Sequence, residues 1–108
     1  MSTPIPATVT DFVDAVNRHD EQAFLDAFTD DGFVDDWGRV FTGRAAIKAW
    51  SDKEFIGATG TMTVTDTRVN GDVVTVIADW RSSYANGLSS FAFRLAGDRL
   101  ASMTIREG

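Results

Sequence analysis

An α+β domain, three short helices followed by an antiparallel meander of strands, is what this chain predicts, on three observations. Apolar residues recur at helical spacing in the first half, at Val9, Phe12, Val13 and Val16 and again at Ala46, Ile47 and Trp50. The period changes after Gly57, where β-branched residues crowd Thr59 to Val69 and Val73 to Tyr84. Three turn signals, Asn70-Gly71-Asp72, Asn86-Gly87 and Gly97-Asp98, divide the remainder into four strands. Helices that precede such a meander pack on one face of its sheet.

Taken in order, Pro4 and Pro6 mark the start of the first helix, because proline suits a first turn whose N–H groups have no partner. Asp11, Asp14, Asn17 and Arg18 fall off its apolar stripe, on the wetter side. Asp20 is placed to cap a second helix carrying Ala23, Phe24, Ala27 and Phe28 inward, and Glu21 suits the positive end of its dipole. Thr29-Asp30-Asp31-Gly32 ends that helix. A short strand follows with two adjacent carboxylates, Asp35 and Asp36, of which one faces inward and the other water. The chain then turns at Trp37-Gly38, and Thr42 is a candidate N-cap for the third helix. The meander strands read as Thr59–Val69, Val73–Tyr84, Leu88–Ala96 and Arg99–Arg106.

A chain of 108 residues makes one domain, 1–108, with a single core. A net charge of −6 argues against nucleic acid and against an anionic membrane surface. The absence of cysteine excludes disulfides, thiol catalysis and thiolate metal sites, and the single His19 excludes a poly-histidine zinc centre. No metal or cofactor is expected. No stretch is apolar for long enough to span a bilayer, and Met-Ser-Thr-Pro lacks the features of a signal peptide, so the expected location is cytoplasmic.

The segment Asn17 to Trp50 carries a resemblance. Asn-Arg-His-Asp, then Phe-Thr-Asp-Asp-Gly-Phe-Val-Asp-Asp, then Phe-Thr-Gly-Arg-Ala-Ala-Ile, in this order of elements, resembles the NTF2-like superfamily. The likeness is closest to small bacterial members related to SnoaL-type polyketide cyclases and ketosteroid isomerases. It implies a cone-shaped curved antiparallel sheet, with the three N-terminal helices enclosing a pocket. Its members include isomerases, cyclases, epoxide hydrolases and non-enzymatic binding domains, so the fold alone does not assign an activity.

The resemblance places Asp36 where the isomerases hold their proton-shuttling aspartate, which makes it the candidate general base. The alternative is that Asp36 caps the Trp37-Gly38 turn or pairs with Arg39. Phe12 and Phe91 stand where the isomerases have oxyanion donors, and a phenyl ring donates no proton to an enolate. Ketosteroid isomerisation is therefore not expected. Asp79 and Arg81 share one strand face with Val73, Thr75 and Ile77; Val74, Val76, Ala78 and Trp80 share the other. Hydropathy alone would bury the Trp80 face. Counting along the isomerase pattern instead turns Asp79 and Arg81 into the pocket beside Asp36, which is the placement the resemblance implies. Trp80 would then lie on an apolar convex face covered by a second copy of the chain. The competing reading of Asp79 and Arg81 is a self-satisfied ion pair. Epoxide-hydrolase relatives use an Asp-Arg-Asp group, whose spacing this chain does not reproduce.

Phe12, Trp37, Trp50, Phe55, Phe91, Phe93 and Met103 are the candidate apolar wall, though Trp50 and Phe93 also suit the core. Lys53 and Glu54 can reach the cavity mouth or stay solvated, and His19 is expected to bond the last carbonyls of the first helix. The expected function is a pocket for a small hydrophobic molecule with metal-free acid/base chemistry of the cyclase, isomerase or hydrolase type. The alternatives are a binding module without turnover and a dimeric interaction domain.

Overall fold

Helix α1 (Ala7–Asn17) opens the computed structural model, which describes residues 5–108, so Pro4 lies outside the described residues. Pro6 is its N-cap, and the expected stripe of Val9, Phe12 and Val16 is buried. Polar groups pin its end to the sheet. The Asn17 amide donates to Met62 O (2.9 Å) and accepts from Met62 N (2.7 Å). His19 Nε2 lies 3.0 Å from Gly60 O rather than on the carbonyls of α1. A left-handed backbone at His19 (φ 58°) turns the ring away from its own helix.

Asp20 caps α2 (Glu21–Asp26) as expected, its Oδ1 accepting from Ala23 N at 3.1 Å. That helix is shorter than its apolar spacing implies, because Phe28 already belongs to strand β1 (Phe28–Asp36). The strand bulges between Phe28 and Phe33. Arg44 secures the bulge, donating to Leu25 O (3.2 Å), Phe28 O (2.5 Å) and Asp30 Oδ1 (2.9 Å). Trp37 and Gly38, both left-handed (φ 55° and 92°), form the two-residue turn into β2 (Arg39–Thr42), a strand the sequence reading did not anticipate. Thr42 therefore ends a strand, and Gly43 (φ 87°) stands at the N-cap of α3 (Arg44–Glu54) with no side-chain cap.

The meander comprises β3 (Thr61–Asn70), β4 (Val73–Arg81), β5 (Asn86–Ala96) and β6 (Arg99–Glu107). Gly71-Asp72 and Gly97-Asp98 make the expected two-residue turns, but Asn86-Gly87 does not. Arg81 pairs with Asn86, and the connection is Ser82–Ala85. Ser82 Oγ accepts from Tyr84 N (3.1 Å) and Ala85 N (2.9 Å), while Asn86 Oδ1 accepts from Ser82 N (3.0 Å). The serine and asparagine side chains together close a loop that an Asn-Gly turn would have made tighter.

The sheet has six strands in the order β2-β1-β6-β5-β4-β3, curved and unclosed. It is antiparallel except where β1 lies parallel to β6, so the expected all-antiparallel sheet is a mixed one. Its concave face carries the core. Phe12 packs its ring against Phe24 (5.4 Å), Phe28 (5.8 Å) and Phe93 (5.1 Å), which joins α1, α2, β1 and β5 in one aromatic cluster. Gly60 is required at the start of β3, since a Cβ there would stand 2.0 Å from the Trp80 ring. No helix among the described residues is long and apolar enough to cross a membrane.

Strand β4 corrects one expectation. Val74, Val76, Ala78 and Trp80 are buried, whereas Asp79 and Arg81 lie on the opposite, convex face. Hydropathy wins over the count along the family pattern because turning Asp79 and Arg81 inward would desolvate two charges and expel four apolar side chains. Trp80 is thus no part of the convex surface. The exposed apolar side chains there are Phe33, Val40 and Leu88, by their pairing with Ser102, Asp35 and Asp79.

Candidate active site

Side-chain size along β5 opens the cavity. Pairing puts Phe93, Phe91, Ser89 and Gly87 on the concave face opposite Val74, Val76, Ala78 and Trp80. The two phenylalanines fill the narrow end. Serine and glycine leave space toward the other. The result is a cavity of about 320 Å³ at the mouth of the cone, lined by Asp36, Trp37, Arg39, Trp50, Glu54, Phe55, Trp80, Tyr84, Ala85, Ser89, Phe91 and Ile105.

A ladder of rings forms its floor. Trp50 stacks on Phe55 (4.9 Å between centroids, 24°), and Phe55 stacks on Trp80 (4.5 Å, 9°). Of the expected wall, Trp37, Trp50, Phe55 and Phe91 line the cavity. Phe12, Phe93 and Met103 do not: each is fully buried in the core beneath it. They are apolar residues deep on their elements, and packing claims them first.

Alternation along β1 separates the two carboxylates. Asp35 pairs with Thr104 on the convex face, where Arg106 holds it by two hydrogen bonds (3.0 and 3.1 Å) and Gly38 N donates to it at 2.8 Å. Asp36 pairs with Ile105 on the concave face and enters the cavity. Its Oδ2 accepts from Trp50 Nε1 (3.0 Å) and from Arg39 Nη2 (2.5 Å). The same Arg39 reaches Glu54 by two hydrogen bonds (3.1 and 2.6 Å) and stands over the Phe41 ring. Asp36 Oδ1 accepts no hydrogen bond from the described residues. No buried side-chain oxygen lacks a partner among them, so this oxygen is accessible to solvent, on a residue that lines the cavity.

The Asp36–Arg39 pair that the sequence offered as an alternative is therefore real, and it coexists with an inward, half-free carboxylate. Asp79 and Arg81 pair with each other (2.9 Å) on the other side of the sheet and do not join the site. Glu54 does join it and Lys53 does not line it. Sequence reasoning missed Trp80 and Tyr84 as lining residues. No cluster of metal-ligating groups occurs among the described residues.

Charge pairing sets the titration. The hydrogen bond from Arg39, with help from Tyr84, holds the Glu54 carboxyl below its ordinary value of 4.5. The hydrogen bond from Arg106, then that from Gly38, holds Asp35 below 3.8. Arg39 is pushed further up, chiefly by its bond to Glu54. Both carboxyls have lower values folded than unfolded, so each stabilises the fold above the ordinary carboxylate range and loses that contribution as pH falls through its lowered value. The urea midpoint is expected to hold steady from pH 7 to 5 and to fall below it. Replacing Arg39 and Arg106 by Met should flatten that acid limb, and an unchanged limb would show that these pairs do not govern it.

The family model described as a SnoaL-like domain matches residues 9–105. No curated protein sequence matches the chain. Among solved structures, it is similar to SMa1630 of Sinorhizobium meliloti, assigned as a polyketide cyclase (24% identity, TM-score 0.83, covering 94% of this chain and 95% of that one). It is similar to SalBIII, an epoxide hydrolase/cyclase-like enzyme of pyran ring formation in the polyether salinomycin (20%, TM-score 0.84, 94% and 88%). A third similar structure, from Catenulispora acidiphila, has a ketosteroid isomerase-like fold and holds trimethylamine (22%, TM-score 0.79, 97% and 88%).

Proposed function

We propose, from the premise that this chain belongs to the SnoaL-like domain family, that its cavity takes a small, largely hydrophobic molecule and performs metal-free acid/base chemistry on it. Asp36 is the base. The observation that carries this reading is the asymmetry of that carboxylate. Trp50 and Arg39 fix Oδ2, and Oδ1 stays unpaired and accessible on a residue that lines the space a substrate would fill. Proton transfer at Oδ1 needs no rearrangement of the groups that hold Oδ2. Arg39, shared with Glu54, keeps a positive charge beside the carboxylate and orients it. Asp79 and Arg81, expected as partners in catalysis, have no part in the proposal. The similar structures assigned to cyclisation and epoxide chemistry favour ring formation or opening over isomerisation, and Phe12 and Phe91 supply no oxyanion donor.

A second reading is a binding module without turnover. It is favoured by the stacked rings of the floor, an apolar surface suited to holding a ligand without reacting with it. Association of two copies through the convex sheet also belongs to the proposal, now resting on Phe33, Val40 and Leu88 instead of Trp80. Native mass spectrometry of the purified protein, with metabolite extracts added, reads all of this at once. A transformed compound supports catalysis, and one recovered intact supports binding only. A monomer mass throughout would remove the dimer.

A further inference from the structure

The charge and ring content of the cavity mouth narrow its occupant. Two aromatic side chains of the lining are well exposed, Trp37 (59%) and Tyr84 (61%), and they share the cavity with the buried rings of Phe55 and Trp80. Trp37 is a bulky residue in the left-handed region, where bulky side chains rarely settle. Its backbone N–H donates to Ile105 O (3.2 Å), and the next residue, Gly38, is tied to Asp35. The turn thus holds an indole at the rim instead of burying it. Around these rings the acidic groups are Asp36, Glu54 and, by its pairing with Ser89, Glu107 on the same face of β6. The basic groups are Arg39, already shared between Asp36 and Glu54, and exposed Lys53 beside Glu54. One negative charge is left over, in a protein whose net charge is −6.

Exposed ring faces beside uncompensated carboxylate charge attract cations and repel anions. We infer that the molecule this cavity accepts carries a positive charge, as a protonated or quaternary amine attached to a small apolar body. The inference rests on reading the cavity as a small-molecule site and adds the class of molecule. The apolar body lies on the Phe55–Trp80 floor. The ammonium group sits under Trp37 and Tyr84, within the field of Asp36 and Glu54. Arg39 does not block this arrangement, because its guanidinium is already hydrogen-bonded to both carboxylates and lies over the Phe41 ring.

Three probes of similar size and different charge test this: benzyltrimethylammonium, benzyl alcohol and benzoate. Each is titrated into the intact protein at fixed ionic strength, with the indole NMR signals as readout. Benzyltrimethylammonium is expected to bind roughly ten-fold more tightly than either of the others. Glu54→Gln should remove most of that preference. Trp37→Leu changes an exposed side chain and should weaken the cation several-fold while leaving the far-UV spectrum and melting temperature unchanged. It keeps the test decisive if the Glu54 variant fails to fold. Equal or tighter binding of the neutral or anionic probe overturns the inferred charge and leaves the cavity reading standing. If none of the three binds, the inferred charge and the small-molecule reading fall together.

Discussion

Trp80→Ala is expected to destabilise the fold by about 3–5 kcal/mol, the usual result of truncating a large buried aromatic to a methyl group. Trp80 is 6% exposed, stacks on Phe55 and lies against the backbone of Gly60, so little around it can close the void. Asp79→Ala, one residue earlier on the same strand, is expected to cost no more than about 1 kcal/mol, since its partner Arg81 is two-thirds exposed and water replaces the pair. Urea denaturation followed by far-UV circular dichroism avoids relying on the fluorescence of the residue being removed. A larger loss for Asp79→Ala than for Trp80→Ala would mean that the strand faces the other way, and the cavity described above would not exist.

Asp36→Asn should lower turnover of the substrate identified by mass spectrometry by about 10²–10⁴-fold at saturating concentration, the usual contribution of a general base, whatever affinity is lost with the charge. The substitution keeps the shape of the side chain. The amide oxygen can still accept from Trp50 Nε1 and Arg39, and Glu54 still holds Arg39 in place. What disappears is the basic lone pair at Oδ1. Asp79→Asn, on the far side of the sheet, is the control and should turn over at the original rate. Full activity in Asp36→Asn would end the case for this residue as base, whatever the cavity binds.

The order of elements was legible because it rests on short-range signals. These are the helical spacing of Val9, Phe12 and Val16, the cap at Asp20, and the glycine turns at Gly71 and Gly97. Strand alternation separated Asp35 from Asp36, and the family resemblance singled out Asp36 as the inward one. Three things were not legible. Strand β2 is only four residues long, and its pairing depends on a tryptophan adopting a left-handed turn that residue type does not advertise. The Ser82–Ala85 loop depends on side-chain hydrogen bonds that displace a strong Asn-Gly signal, and it carries Tyr84 to the cavity. Arg39 and Glu54 meet although fifteen positions apart in the chain, a separation at which no local pattern reports contact. The face of β4 was legible too. Alternating hydropathy named it correctly, and the count along a distant family pattern overrode it because one residue of register inverts every side chain.

The parallel contact between β1 and β6 ties the earliest strand to the latest one. Because β6 follows every other element in sequence, Asp36 cannot reach its final setting until nearly all of this chain is present and the meander has formed. During synthesis on the ribosome, the helical half must wait with its apolar stripe unsheltered, a window in which chaperones or neighbouring nascent chains can engage it.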